Sequence, residues 1–257
     1  MAGGLLCRNP QAAVPYHISS VGLNLYSAEE LCYFISRNLP LADETLINES
    51  LADWLGAQCG MKNTAAEMKE IFREAADPIP ECLSVLFRES GYFSQNELNA
   101  LFAAMKSLAD LQESKRAKMQ ADVLMDRGKY QKAIDYYEDI LRSEKKSGID
   151  KNFTGLVYFN AGCAYERLFY TEKAEEYFLK AYSLLMDRLS MLAVLSAAYL
   201  NGGEEAMKKR ADELHAHATL VEDVLESIRE LPEPEYPGNL EKAVDEWIAG
   251  YHYATDL

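Results

Sequence analysis

The stretch Ala121-Asp-Val-Leu124-Met-Asp-Arg-Gly128-Lys-Tyr130-Gln-Lys-Ala133-Ile-Asp-Tyr-Tyr137 decides the fold. Its pattern returns as Gly162-Cys-Ala-Tyr165, then Ala174-Glu-Glu-Tyr-Phe178 and Ala181, with Tyr158 ahead of it; Ala133 recurs as Ala174, 41 residues on. Apolar residues fall three and four apart on both sides of Gly128, the period of two helices joined by a turn. Small residues at Ala121 and Gly162, and again at Ala133 and Ala174, let paired helices approach closely. Tyr137 and Phe178 fill the space between neighbouring hairpins, and Gly128 permits the turn. One hairpin hides only part of its apolar face, so such units must stack.

The spacing resembles the tetratricopeptide repeat, a helix–turn–helix unit of usual period about 34, over residues 114–215. The extra length falls in the polar connector 143–153. Ile140 replaces a small residue late in the first unit, and Phe169 stands where a turn glycine is expected in the second. A third hairpin, Leu189–Asn201 and onward from Glu204, keeps a Gly202-Gly203 turn but matches less well. The resemblance implies an all-α fold: a short solenoid of helical hairpins with an N-terminal helical module and a C-terminal capping helix. It also implies a concave groove lined by the first helix of each unit. By register those positions are Lys118, Asp122, Met125 and Asp126 in one unit and Phe159, Cys163, Glu166 and Arg167 in the next. Some family members clamp the C-terminal carboxylate of cytosolic heat-shock chaperones with lysine, asparagine and arginine. Lys118 and Asn160 match that set, but Asp122 replaces an asparagine and repels a carboxylate. Mixed charge beside Met125 and Phe159 suits an amphipathic helix instead.

Upstream, Tyr16/Ile18 and Leu23/Leu25 alternate with polar residues around Gly22 and predict two very short strands or an extended arm. Three capping-box patterns, Ser27–Glu30, Thr64–Glu67 and Ser94–Glu97, predict helix starts. Asp77-Pro78 predicts an N-cap followed by proline at the first helical position. Asn48–Cys59 predicts a helix closed by Gly60. From Gln95 the helical pattern runs to about Arg127, with a break or bend in the polar interval Gln112–Lys118. Tyr16–Leu55 is similar to the opening of repeat proteins from Clostridia-type bacteria, which implies no activity. The organisation read from these signals is an N-terminal module with an extended arm (1–93), helical repeats (94–230), then a proline-rich linker and amphipathic helix (231–257).

Met207, Ala211, Leu214, Ala218, Val221, Leu225 and Ile228 form a heptad stripe. It packs within the chain or zips two copies into a homodimer. After Leu231–Gly238, Asn239 caps a helix with Leu240, Ala243, Val244, Trp247, Ile248 and Tyr251 on one stripe. That helix covers the last apolar face of the array, or docks in its groove.

The 257 residues carry a net charge of −15. This balance disfavours nucleic-acid backbones and anionic membranes. Five widely spaced cysteines, Cys7, Cys32, Cys59, Cys82 and Cys163, form no disulfide or zinc pattern and suit a reducing, cytoplasmic setting. Gly4-Leu5-Leu6-Cys7 lacks the flanks of a lipoprotein signal, so secretion is not expected. No phosphate-loop, dinucleotide, zinc-protease or nucleophile-elbow motif is present. His215 and His217 point apart on a helix, and Glu213 with His217 is too few ligands for a metal. No enzyme, cofactor or metal is expected. The function read from these features is a noncatalytic scaffold or adaptor that binds a peptide or helix of another protein. The rivals are a small-ligand sensor or enzyme with a pocket drawn from Tyr16, His17 and Cys32, and a structural homodimer.

Overall fold

The computed structural model describes residues 9–144, 150–232 and 237–255. Gly4–Cys7 and the middle of both the 143–153 connector and the proline-rich linker lie outside them. The described chain divides into two compact units at Met119/Gln120.

In the first unit, strands β1 (Tyr16–Ile18) and β2 (Leu23–Leu25) pair antiparallel, Tyr16 opposite Leu25 and Ile18 opposite Leu23. The short-strand reading therefore holds. Gly22 turns the hairpin at φ +63°. Trp54 Nε1 donates to the Val14 carbonyl at 2.8 Å, which ties this arm down. Helix α1 (Ala28–Arg37) starts at Ser27, whose hydroxyl accepts from the Glu30 amide at 3.1 Å. Glu30 reaches back to the Tyr26 amide at 2.6 Å. After a 3-10 turn at Leu39–Leu41 come α2 (Glu49–Ala57), α3 (Lys62–Glu74), α4 (Pro78–Glu89) and α5 (Gln95–Ala109). Asn48 caps α2, and Gly60 ends it at φ +72°, where the Met61 amide reaches the Leu55 carbonyl at 3.0 Å. Ser94 and Glu97 form the full reciprocal cap of α5. The core joins Leu31, Ile35, Leu51, Leu55, Met68, Leu86 and Phe87, all fully buried.

Two expected caps differ. Thr64 lies buried in the first turn of α3, because the tight Gly60 turn starts that helix three residues earlier with Met61 as cap. Asp77 precedes Pro78 as expected, but its side chain accepts no capping bond.

Helix α6 (Glu113–Asp126) carries the division between the units. From Gln120 on, it pairs with α7 (Tyr130–Glu144); α8 (Lys151–Arg167) pairs with α9 (Thr171–Leu185). Helix α10 (Arg188–Glu213) is interrupted at Gly202 and Gly203, which leave helical geometry and make the third hairpin turn. Ala121, Ala133, Ala161, Ala164, Ala174 and Ala181 are all 0% exposed. A Cβ on Gly162 would sit 2.6 Å from the Phe178 ring, and one on Gly155 would sit 2.6 Å from Leu185. Gly128 turns the first hairpin at φ +73°. The fold is thus a short helical-repeat array with one minor two-stranded ribbon.

The heptad stripe is not one seam. It breaks at Leu214–His217, where His215 adopts φ +52°. Helix α11 (Ala218–Arg229) then folds back on α10, so that Met191, Leu195, Met207, Ala211, Val224 and Leu225 share one core. Both helices carry the same three/four spacing, and no glycine or proline marks the break. His215 and His217 therefore sit in a turn rather than on a helix; His217 instead caps α11, accepting from the Thr219 amide at 3.3 Å. Helix α12 (Leu240–Thr255) packs on α7 of the first hairpin rather than on α11. Ala254 joins the cluster of Ile134, Ala164 and Leu168.

Gly162→Val forces the Phe178 ring out of place and lowers stability by about 1–3 kcal/mol. Adding Phe178→Leu returns part of that loss. Urea unfolding followed by circular dichroism of the two single variants and the double variant reads the coupling.

Candidate functional site

The first helices of successive hairpins meet through their polar side chains. Asp122 of α6 accepts from the Tyr137 hydroxyl at 2.6 Å and from Asn160 Nδ2 at 2.8 Å. These two predicted groove residues therefore join each other across α6, α7 and α8, and their capacity is largely used inside the stack. Burial, then the hydrogen bond to Asp122, pushes the Tyr137 phenol well above its ordinary range, so it stays a neutral donor.

A second network lies on the other side of α7. Glu138 accepts from Tyr165 at 2.5 Å and from Tyr177 at 3.0 Å. Burial raises both phenols, Tyr177 to about 12, and the bond to Glu138 adds to it. Lys180 Nζ sits 5.0 Å from the Tyr177 ring centre and 5.6 Å from that of Tyr158. The sequence signal for this network was the run of tyrosines at repeat positions, but its acceptor, Glu138, carries no signature of its own.

The remaining predicted positions separate. Met125 packs with Tyr130 and Tyr165 onto the cluster that contains Ala254, so its side is closed by α12. Phe159 and Cys163 are half-buried against Ala174, Phe178, Val194 and Ala197, together with Ala193 of α10. Asp126 and Arg167 are exposed; Glu166 and Lys118 are half-buried. Burial pushes the Cys163 thiol up to about 11, with Glu166 adding to it, so the group is a protonated thiol at neutral pH. Burial raises the Glu166 carboxyl, and Arg167 opposes this.

In the first unit, Tyr16, His17 and Cys32 do not converge on a pocket. The Tyr16 hydroxyl donates to the Leu46 carbonyl at 3.2 Å, and His17 pairs with Asn24 at 2.8 Å. Cys32 is fully buried, and burial raises its thiol to about 12. Among the described residues no group of three or more histidine, cysteine, aspartate or glutamate side chains is placed to hold a metal. A cavity of about 210 Å³ lies between α9 and α10. Within it Arg210 Nε donates to Glu175 at 2.7 Å and Asn201 Nδ2 to the same carboxylate at 2.6 Å. No described helix is long and apolar enough to cross a membrane.

Stacked hairpins with small residues at their closest approaches define a helical-repeat protein. A family model, Tetratricopeptide repeat, matches residues 116–187, which cover the first two hairpins, and this part of the chain is a tetratricopeptide-repeat segment. Such repeats generally mediate protein–protein interaction and are typically non-enzymatic. No curated protein and no solved structure matches the chain.

Asp122→Ala strands the Tyr137 and Asn160 donors and lowers stability by about 1–3 kcal/mol, whereas Asp122→Asn keeps an acceptor and loses less; thermal unfolding of both variants checks the order. The raised Glu166 carboxyl gives a pH signature. Its charged form is penalised in the fold, so the related stability is complete below the unfolded pKa and is lost as pH rises through the folded one. Glu166→Gln therefore melts at a higher temperature than the parent at pH 7, and the difference closes toward pH 4.

Proposed function

We propose that this protein is a noncatalytic scaffold or adaptor whose hairpin array holds a peptide or amphipathic helix of another protein along its first helices. The strip shared by α8 and α10 carries this reading. Phe159 and Cys163 from one helix and Ala193 from the other keep accessible apolar surface over a packed cluster. Leu156, exposed, and Arg167, also exposed, continue the α8 face at its two ends through spacings of three and four residues. An apolar row with a charged end fits a helix that is apolar on one side and polar on the other. Lys118 belongs to the first unit, whereas Asp126, Phe159, Cys163, Glu166 and Arg167 belong to the second and supply the proposed groove.

Protonated, buried thiols and self-paired carboxylates support a binding role over a chemical one. The free cysteines Cys32, Cys59, Cys82 and Cys163 support a reducing compartment such as the cytoplasm. The organisation into 1–93, 94–230 and 231–257 belongs to the same reading.

Photocrosslinking tests it. With benzoylphenylalanine at position 159, one protein partner is captured in the native cell, and Arg167→Glu reduces that capture while the circular dichroism spectrum is unchanged. Strong thermal stabilisation by a single metabolite, with no crosslinked protein, overturns the reading in favour of a small-ligand sensor. A concentration-dependent dimer in light scattering, with the crosslink formed between two copies, overturns it in favour of a structural homodimer.

A further inference from the structure

Helix α12 is held in an inverted way. An amphipathic surface helix buries its bulky apolar stripe and exposes its polar face. Here the buried residues are Ala243 and Ala254, at one edge of the stripe, while Trp247 is 60% exposed and Leu240 62%. Val244, Ile248 and Tyr251 are exposed beside them. At about 100° per residue these five bulky side chains spread over a continuous face next to the two alanines. The helix is fixed instead by polar contacts near its end. Lys129 Nζ donates to the Tyr253 carbonyl at 2.8 Å and lies 3.7 Å from the centre of the Tyr253 ring.

The turn of the second hairpin extends that face. Phe169 occupies the left-handed region at φ +62°, where a side chain costs about 1–2 kcal/mol, and its ring is 84% exposed. That conformation gains no burial in return. Its neighbour Tyr170 is also exposed and meets α12, with the Tyr170 and Tyr251 hydroxyls 3.4 Å apart. Stripe and turn thus meet through Tyr170 and Tyr251, and their exposed apolar side chains are clustered rather than scattered singly.

The rim of this surface is acidic. Glu241 and Asp245 on α12 and Glu172 after the turn have no cation partner among the described residues. The nearby lysines are engaged: Lys129 with Tyr253, Lys242 with Glu246 at 3.5 Å and Lys173 with Glu176 at 2.7 Å. A second copy, net −15 like the first, would bring carboxylates against carboxylates. An anionic bilayer is repelled for the same reason. We propose that the open stripe of α12, continued by Phe169 and Tyr170, is the docking strip for a cationic amphipathic helix of another protein. Apolar residues of that helix cover Trp247 and Ile248, and lysines or arginines on its flanks meet Glu241, Asp245 and Glu172. The strip is separate from the α8–α10 face and stands without it.

Fluorescence of the full chain tests the proposal. The chain has two tryptophans, and Trp54 is buried, so Trp54→Phe leaves Trp247 as reporter. The probes are two synthetic 18-residue amphipathic helices with the same leucine pattern, one with lysine and one with glutamate flanks. The lysine peptide shifts Trp247 emission to the blue and binds more weakly as salt rises; the glutamate peptide does neither. Anisotropy of the labelled lysine peptide shows at least tenfold weaker binding to Ile248→Asp. Phe169→Gly binds several-fold more weakly although it melts at a higher temperature, because the glycine relieves the turn. Tyr33→Asp, at an exposed aromatic of the first unit, binds as the parent does. The proposal is overturned if Ile248→Asp binds as the parent does, if Tyr33→Asp weakens binding as much as Ile248→Asp, if the two peptides bind equally, or if neither binds. It is equally overturned if Trp247 shifts with neutral phosphatidylcholine vesicles and not with the lysine peptide, or if sedimentation shows a dimer that Ile248→Asp dissolves.

Discussion

Helices in the repeat unit approach until no Cβ fits between them. Gly162 lies against the face of Phe178 and Gly155 against Leu185, both at separations that a methyl group would violate. The buried alanines at 121, 133, 161, 164, 174 and 181 extend this constraint along the stack. Interiors are close-packed, so such contacts have little room to relax. They set the spacing of α8 and α9 within the second hairpin, and the Asp122 bonds to Tyr137 and Asn160 tie the first hairpin together and join it to α8.

Much of the fold was legible because local chemistry decides it. Ser27 and Ser94 cap helices where their spacing to Glu30 and Glu97 predicts. Gly202-Gly203 breaks α10 into a hairpin, and the alternation around Gly22 makes a ribbon of two short strands. The features that escaped depend on distant partners. Nothing between Leu214 and His217 marks a break, because the turn is made by a histidine in the left-handed region and stabilised by the core that α11 shares with α10. The position of α12 on α7 depends on Lys129 and Tyr253, 124 residues apart.

The candidate site shows the same split. Register assigns residues of α6 and α8 to rows, since a helix fixes its own geometry. It did not distinguish side chains that face an opening from those that face a neighbouring helix. Asp122 and Asn160 proved to be partners of one another, and Met125 proved to lie under α12. Phe159 and Cys163 are half-buried over the cluster of Ala174, Phe178, Val194 and Ala197, and Arg167 is exposed. A repeat therefore specifies the rows from which an interface is drawn, while the neighbours specify which members of a row remain open.

Lys129 is 4% exposed, sealed beneath the final turns of α12. An ammonium group regains its hydration when that cover lifts, which offsets much of the loss of its ring and carbonyl contacts. Detachment of α12 is therefore inexpensive compared with global unfolding, and the three hairpins keep their own cores when it happens. The helix behaves as a separate cooperative segment. Its backbone amides exchange with solvent through local opening, ahead of those in α8 and α9.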